Sequence, residues 1–150
     1  MSQLIITRAL PNPQGKDRTA SHQVTNQQLN GEWVEFANTS GSRLGLDGLA
    51  LDHYTFDNAC TKTGEDRATT FRGVLEAGQA MRVHTGAGST FGEGPVIHVF
   101  LNRGNFLWNN RCGDTAVLRA GDALVDWAFY NPGPAEGAVL QRVFGTNELR

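Results

Sequence analysis

A chain of 150 residues with 39% hydrophobic content can build a real core without staples, since folding at this size buries roughly 68–70% of the unfolded surface. The net charge of −2 excludes a global basic field that would gather nucleic acid, and among thirteen basic residues only Lys16 and Lys62 are lysines, so the positive charge is mostly arginine, suited to fixed bidentate contacts. No run approaches the ~20 apolar residues of a membrane span, and MSQLIITRALPNP is too short in its apolar part and too poor in charge for a signal peptide, so the expectation is a cytoplasmic chain without membrane insertion.

In chain order the pattern is strand and turn. LIITRAL, residues 4–10, reads as a first strand stopped by the PNPQG turn, whose prolines cannot continue a ladder. A long polar stretch follows, in which residues 20–29 can form one short helix with only Val24 and Leu29 on its apolar face. In GEWVEFANTSG, Trp33, Glu35 and Ala37 point one way while Val34 and Phe36 point the other, the alternation of a sheet with one buried face. Leu44, Leu46, Leu49 and Leu51 bracket a turn at Asp47-Gly48, and the strand runs on to about Tyr54. Residues 57–67 read as a polar loop, residues 69–72 as a short strand, and residues 80–85 as another.

After GAGSTFGEGP come the strand VIHVFLN, a turn at Arg103-Gly104-Asn105, and then FLWNNRCGD, TAVLRA and ALVDWAFY. Residues 138–144 form a last candidate strand. Turn signals recur every 8–12 residues or so, the spacing of an all-β sandwich. The glycine content, 18 residues, suits many short strands. No linker, repeat or low-complexity block divides the chain, which reads as a single domain over 1–150, with residues 131–150 an extra strand or an arm.

The segment LWNNRCGDTAVL carries the densest chemistry. Trp108 can bury about 150–250 Å², and Asn109, Asn110, Gly113 and Asp114 suit a sharp, locked turn into the next strand. Cys112 as a nucleophile would need a base within reach, and no adjacent residue supplies one. Cys60 and Cys112 are expected to favour the thiol form in a reducing cytosol; were they to pair, a loop of roughly 50 residues would close, worth about 4 kcal/mol.

His22, His53, His84 and His98 show no metal-ligand spacing. A two-histidine site from His84 and His98 on neighbouring strands is geometrically open, although half-solvated strand histidines are commoner. Glu35, on the face of Trp33, reads as a cross-strand charge partner. GAGSTFGEG runs into Pro95 and a strand, so it is not a phosphate loop, which needs a helix N-terminus. It reads as a flexible rim exposing Phe91. No catalytic, cofactor or metal residues are assigned.

The series LIITRALPNPQGKD, GEWVEFANTSGSRLGLDGLAL, VLEAGQAMRVHTGAG and GNFLWNNRCGDTAVLRAGDALVD resembles the lamin-tail domain family, and its bacterial members most. The likeness runs in order from about Leu4 to Tyr130. It implies an immunoglobulin-like β-sandwich of seven to nine strands that is not an enzyme. The departures are the polar insert, Cys112 within the W-N-N turn, and residues 131–150.

The expected core includes Ile5, Val34, Phe36, Leu46, Leu49, Leu51, Val83, Val99, Leu101, Trp108, Val117 and Val125. The expected function is a binding or scaffolding module without cofactors that contacts a protein partner, or itself, through the loop rim and an unpaired sheet edge. Phe91, Arg103, Asn105 and Arg111 are its candidate surface residues. A nucleic-acid-binding module using Arg67, Arg72, Arg82, Arg103 and Arg111 is the alternative, which the resemblance favours because lamin tails contact DNA and chromatin proteins. A small hydrolase using Cys112 or a carboxylate is a third.

Overall fold

The computed structural model describes residues 3–15 and 24–150; His22 and most of the polar insert lie outside them. Among the described residues the regular secondary structure is nearly all strand. The elements are β1 (Leu4–Leu10), α1 (Asn26–Asn30), β2 (Trp33–Asn38), β3 (Leu44–Gly45), β4 (Leu49–Phe56), β5 (Lys62–Thr70), β6 (Val74–Leu75), β7 (Ala80–His84), β8 (Phe91–Glu93), β9 (Val96–Phe100), β10 (Asp114–Ala120), β11 (Ala123–Tyr130) and β12 (Leu140–Gln141). A six-stranded sheet in the order β12-β1-β2-β7-β9-β8 stacks on a four-stranded sheet in the order β11-β10-β4-β5, with β3 and β6 pairing alongside. This is the all-β sandwich that the turn spacing implies, in the immunoglobulin-like form that the resemblance implies. The strand total exceeds seven to nine because β3, β6 and β12 are two-residue pairings, too short to leave a periodic signal.

The core lies between the sheets, where Ile6, Phe36, Leu46, Leu51, Leu75 and Leu118 are fully buried. Phe36 and Phe71 meet edge to face at 5.2 Å, a favourable aromatic geometry. Two core expectations are corrected. In β1 it is Leu4, Ile6 and Ala9 that face inward, and Ile5 is only half-buried; one register step exchanges the two faces of a strand. Val117 is buried, but under outward side chains and outside the core cluster.

Other departures follow from what pattern cannot carry. β5, KTGEDRATT, occupies most of the supposed polar loop. It is the terminal strand of its sheet, where charged residues protect an open edge and erase the apolar alternation. β9 runs parallel to β7 in the six-stranded sheet while β10 lies in the four-stranded one, so the turn at Arg103-Gly104-Asn105 does not join a hairpin. Residues 101–113 instead form a connection from one sheet to the other. The tail pairs β12 with β1 and returns Leu149 to the core at 2% exposure. The side of the sandwich between β1 and β11 is closed by Asp126, which accepts from the Ile6 N–H at 2.8 Å and from Arg142 at 3.0 Å.

Within the connection Trp108 is 3% exposed and belongs to the core, with His53 edge-on at 6.0 Å. Glu32, fully buried, accepts from the Leu107 N–H at 2.7 Å, the Trp108 N–H at 3.3 Å and the Thr85 hydroxyl at 2.7 Å. Asp114 accepts from the backbone N–H groups of Asn109, Thr115 and Tyr54. The Asn109 side chain accepts from the Cys112 N–H at 2.8 Å. The left-handed residue of the turn is Gly113, at φ 71°, and a Cβ there would collide with the Tyr130 carbonyl. Asn109 and Asn110 are not left-handed, because glycine supplies the turn at lower cost; the Asn110 side-chain amide has no hydrogen-bond partner among the described residues.

Contrary to the thiol expectation, Cys60 and Cys112 are joined as a disulfide across 52 positions. Trp108→Ala should lose about 3–5 kcal/mol of stability in urea unfolding, the cost of a large core truncation; an unchanged midpoint would mean the indole packs nothing. The Cys60→Ser, Cys112→Ser double variant should lose about 2–4 kcal/mol, measured the same way without reductant.

Candidate binding surfaces

Two surfaces stand out. The first surrounds β8, at the end of the six-stranded sheet. Helix α1 opens with a capping box between Thr25 and Gln28, which satisfies its first N–H groups. Asn26 and Asn30, from that helix, both donate to the Ala87 carbonyl, and Asn26 accepts from the Ala87 N–H at 2.7 Å. A Cβ at Gly86 would strike both asparagine side chains, and one at Gly88 would strike the Phe100 ring at 2.8 Å. The start of the glycine-rich stretch is therefore clamped, and its continuation, Phe91–Glu93, is a strand.

Phe91, 47% exposed, stacks on His98 at 4.4 Å; His98 stacks on His84 at 5.0 Å, and His84 on Phe100 at 4.9 Å. His84 Nδ1 lies 2.8 Å from the Asn30 carbonyl, which can only accept, so this nitrogen carries the hydrogen. Burial pushes the His84 pKa down, with the Asn30 carbonyl opposing and His98 and Arg82 assisting. In neutral His84 the Nε2 atom accepts, and it receives the His98 Nδ1 hydrogen across 2.7 Å. His98 Nε2 is buried with no hydrogen-bond partner among the described residues, 3.6 Å from the Glu93 carboxylate. The two histidines are adjacent, as their spacing allowed, but the nitrogens that meet share a hydrogen. His98 is buried rather than half-solvated. No cluster of three or more His, Cys, Asp or Glu suited to a metal occurs among the described residues.

The other candidate residues do not gather around Phe91. Arg103 and Asn105 are exposed on the connection between sheets, and Arg103 faces His53, whose pKa is lowered mainly by burial and further by that guanidinium. Arg111 donates to the Asn58 carbonyl at 2.9 Å, beside the disulfide. Glu35 is a cross-strand partner, held by Arg8 from β1 at 2.9 Å and Arg82 from β7 at 2.9 Å, with the Arg82 guanidinium 4.0 Å from the Trp33 ring centre. Cys112, as a disulfide, presents no thiol.

The second surface is the outer face of the four-stranded sheet, which sequence reasoning passed over. Tyr54 and Phe56 of β4 and Trp127 and Phe129 of β11 line it. Outward alternation of Trp127 and Phe129 around buried Asp126, Ala128 and Tyr130 was the available signal, inverted because the charged Asp126 stands on the buried side.

His53 and His84 both have depressed pKa values, so the unfolded chain binds more protons just below the ordinary value of 6.5. Stability is then fully present above pH 6.5 and falls as pH drops from there through the folded values. Urea unfolding should show a free energy that rises with pH up to about 6.5, and a His53→Gln, His84→Gln variant should flatten that slope.

No curated protein matches the sequence. The family model of the Lamin Tail Domain matches residues 1–132, a family of non-catalytic, immunoglobulin-like modules. With most of its length matched and the sandwich in place, the chain belongs to the lamin tail domain family.

Proposed function

We propose that this lamin tail domain is a recognition module that binds a protein partner through the β8 rim. The observation that carries this reading is Phe91, an exposed ring on the terminal strand of the six-stranded sheet, backed by His98, His84 and Phe100. A rigid aromatic held by a stack binds without the ordering cost of a free side chain, and an open edge is a template for an added strand or a second copy of the chain. The edge at β5 is less available, because it carries Lys62, Glu65, Asp66 and Arg67.

Charge pairing favours protein over nucleic acid. Arg8 and Arg82 are held by Glu35, Arg67 by Asp52, Arg119 by Glu65, and Arg142 by Asp126. Arg67 and Arg82 also lie on different sheets, so they cannot form the shared edge that a phosphate backbone would need. Among the described residues no helix is long and apolar enough to cross a membrane. The disulfide supports an oxidising compartment over the cytoplasmic location expected from sequence.

Crosslinking and pull-down from native lysate should recover a protein that Phe91→Ala loses, with Arg103→Ala, Asn105→Ala and Arg111→Ala mapping how far the surface extends. Recovery unchanged by Phe91→Ala would overturn the rim. A DNA mobility shift at low salt that collapses steeply with added salt would favour the nucleic-acid reading instead.

A further inference from the structure

The outer face of the four-stranded sheet carries a trough that the rim does not explain. Two depressions, of about 350 and 160 Å³, lie on this face and share Tyr54 and Trp127 in their walls. Thr115 and Val117 of β10 line their floors. Trp127 is 38% exposed and Leu124, beside it, 53%, where the solvent face of an antiparallel sheet is ordinarily polar. Trp127 and Phe129 stack at 6.1 Å, and the Cys60–Cys112 bridge borders the larger depression. These walls are fixed by strand pairing and a covalent link.

The polar groups of this face form one chain of alternating charge. The Lys62 ammonium sits 3.7 Å over the Tyr54 ring and 3.4 Å from Glu65. Glu65 accepts a fork from Arg119 at 3.0–3.2 Å. Arg119 lies 3.6 Å from Asp52, which Arg67 holds at 2.9 Å. Planar carboxylates and guanidinium groups are thereby held in fixed orientations with their charges largely compensated.

From this geometry we infer that the trough binds a neutral polysaccharide chain. A pyranose ring has an apolar face that matches the exposed indole of Trp127, beside the Tyr54 ring that Lys62 caps, while its rim of hydroxyls matches the oriented donors and acceptors of Glu65 and Arg119. Other occupants fit less well. A nucleic-acid strand needs an excess of free cations, and here each cation has a carboxylate beside it. An added peptide strand needs an open backbone edge, whereas β10 beneath the trough is paired on both sides, with β4 and β11. An acyl chain needs a dry enclosure, not a shallow trough walled by ion pairs. Rigid walls suit a ligand class whose contacts are individually weak, because little ordering cost is added on binding.

Native gel electrophoresis of the full chain, in gels containing hydroxyethyl cellulose, laminarin, galactomannan or glycol chitin, tests this. The expected result is retardation by at least one of the four. Trp127→Ala should weaken it by about tenfold or more, as truncation of a central aromatic anchor does, while Trp127→Phe keeps most of it. Phe91→Ala, on the other surface, should leave it unchanged, so this reading and the β8 rim fail separately. Thermal melting of Trp127→Ala and Tyr54→Ala confirms that each variant is folded. Migration unaffected by all four polysaccharides, or retardation that survives in folded Trp127→Ala and Tyr54→Ala, would overturn the inference. So would a dimer that Trp127→Ala converts to monomer in sedimentation without any polysaccharide binding, since the face would then belong to a second copy.

Discussion

The contact on which the sandwich most depends is the buried carboxylate of Glu32. It stands at the entrance to β2 and accepts from the backbone of Leu107 and Trp108 and from the Thr85 hydroxyl. A carboxylate with no exposure is costly to desolvate unless its oxygens are filled, so the chain at residues 107–108 is drawn to one place. That place sets Trp108 between the sheets. Asp114 repeats the device at the other end of the turn, collecting three backbone N–H groups. The long connection between sheets is thereby as well satisfied as a strand, although it has no ladder of its own.

Fixing this connection has consequences for both outer faces. It delivers Cys112 to Cys60 and starts β10 in the register that places Thr115 and Val117 beneath Tyr54 and Trp127. On the opposite sheet Thr85, bonded to Glu32, follows directly on β7 and so anchors the end of the strand that carries His84. Both candidate surfaces are thus tied to the same buried acid. Elsewhere the surface charge is largely spent on itself: carboxylates from one strand hold arginines from the next. Exposed aromatic rings remain on the β8 rim, on the face of β4 and β11, and at Phe144 in the tail.

The candidate site was legible only in part. Phe91 could be picked out because an aromatic within a glycine-rich stretch has few core roles, and it is exposed. That Arg103, Asn105 and Arg111 lie apart from Phe91 could not be read, since it follows from β9 and β10 belonging to different sheets. The His84–His98 contact could be raised as a neighbouring pair. Its relay from the Asn30 carbonyl depends on where α1 docks, and no local pattern records that. Tyr54 and Trp127 could not be grouped from local pattern, because sheet order alone sets β4 and β11 on either side of β10.

By itself the sequence determined the class of fold, most of the core and the nature of the W-N-N turn. Alternation at period two, glycine and proline at turns, and the burial value of a large ring are local properties that act on a residue whatever surrounds it. Only the tertiary structure decided that β5 is a charged edge strand, that β1 carries Ile6 rather than Ile5 inward, and that the two cysteines meet. It alone also set the tail against β1. Each of these depends on contacts between segments distant in sequence, where strand register and sheet order choose among pairings that the local pattern leaves equal.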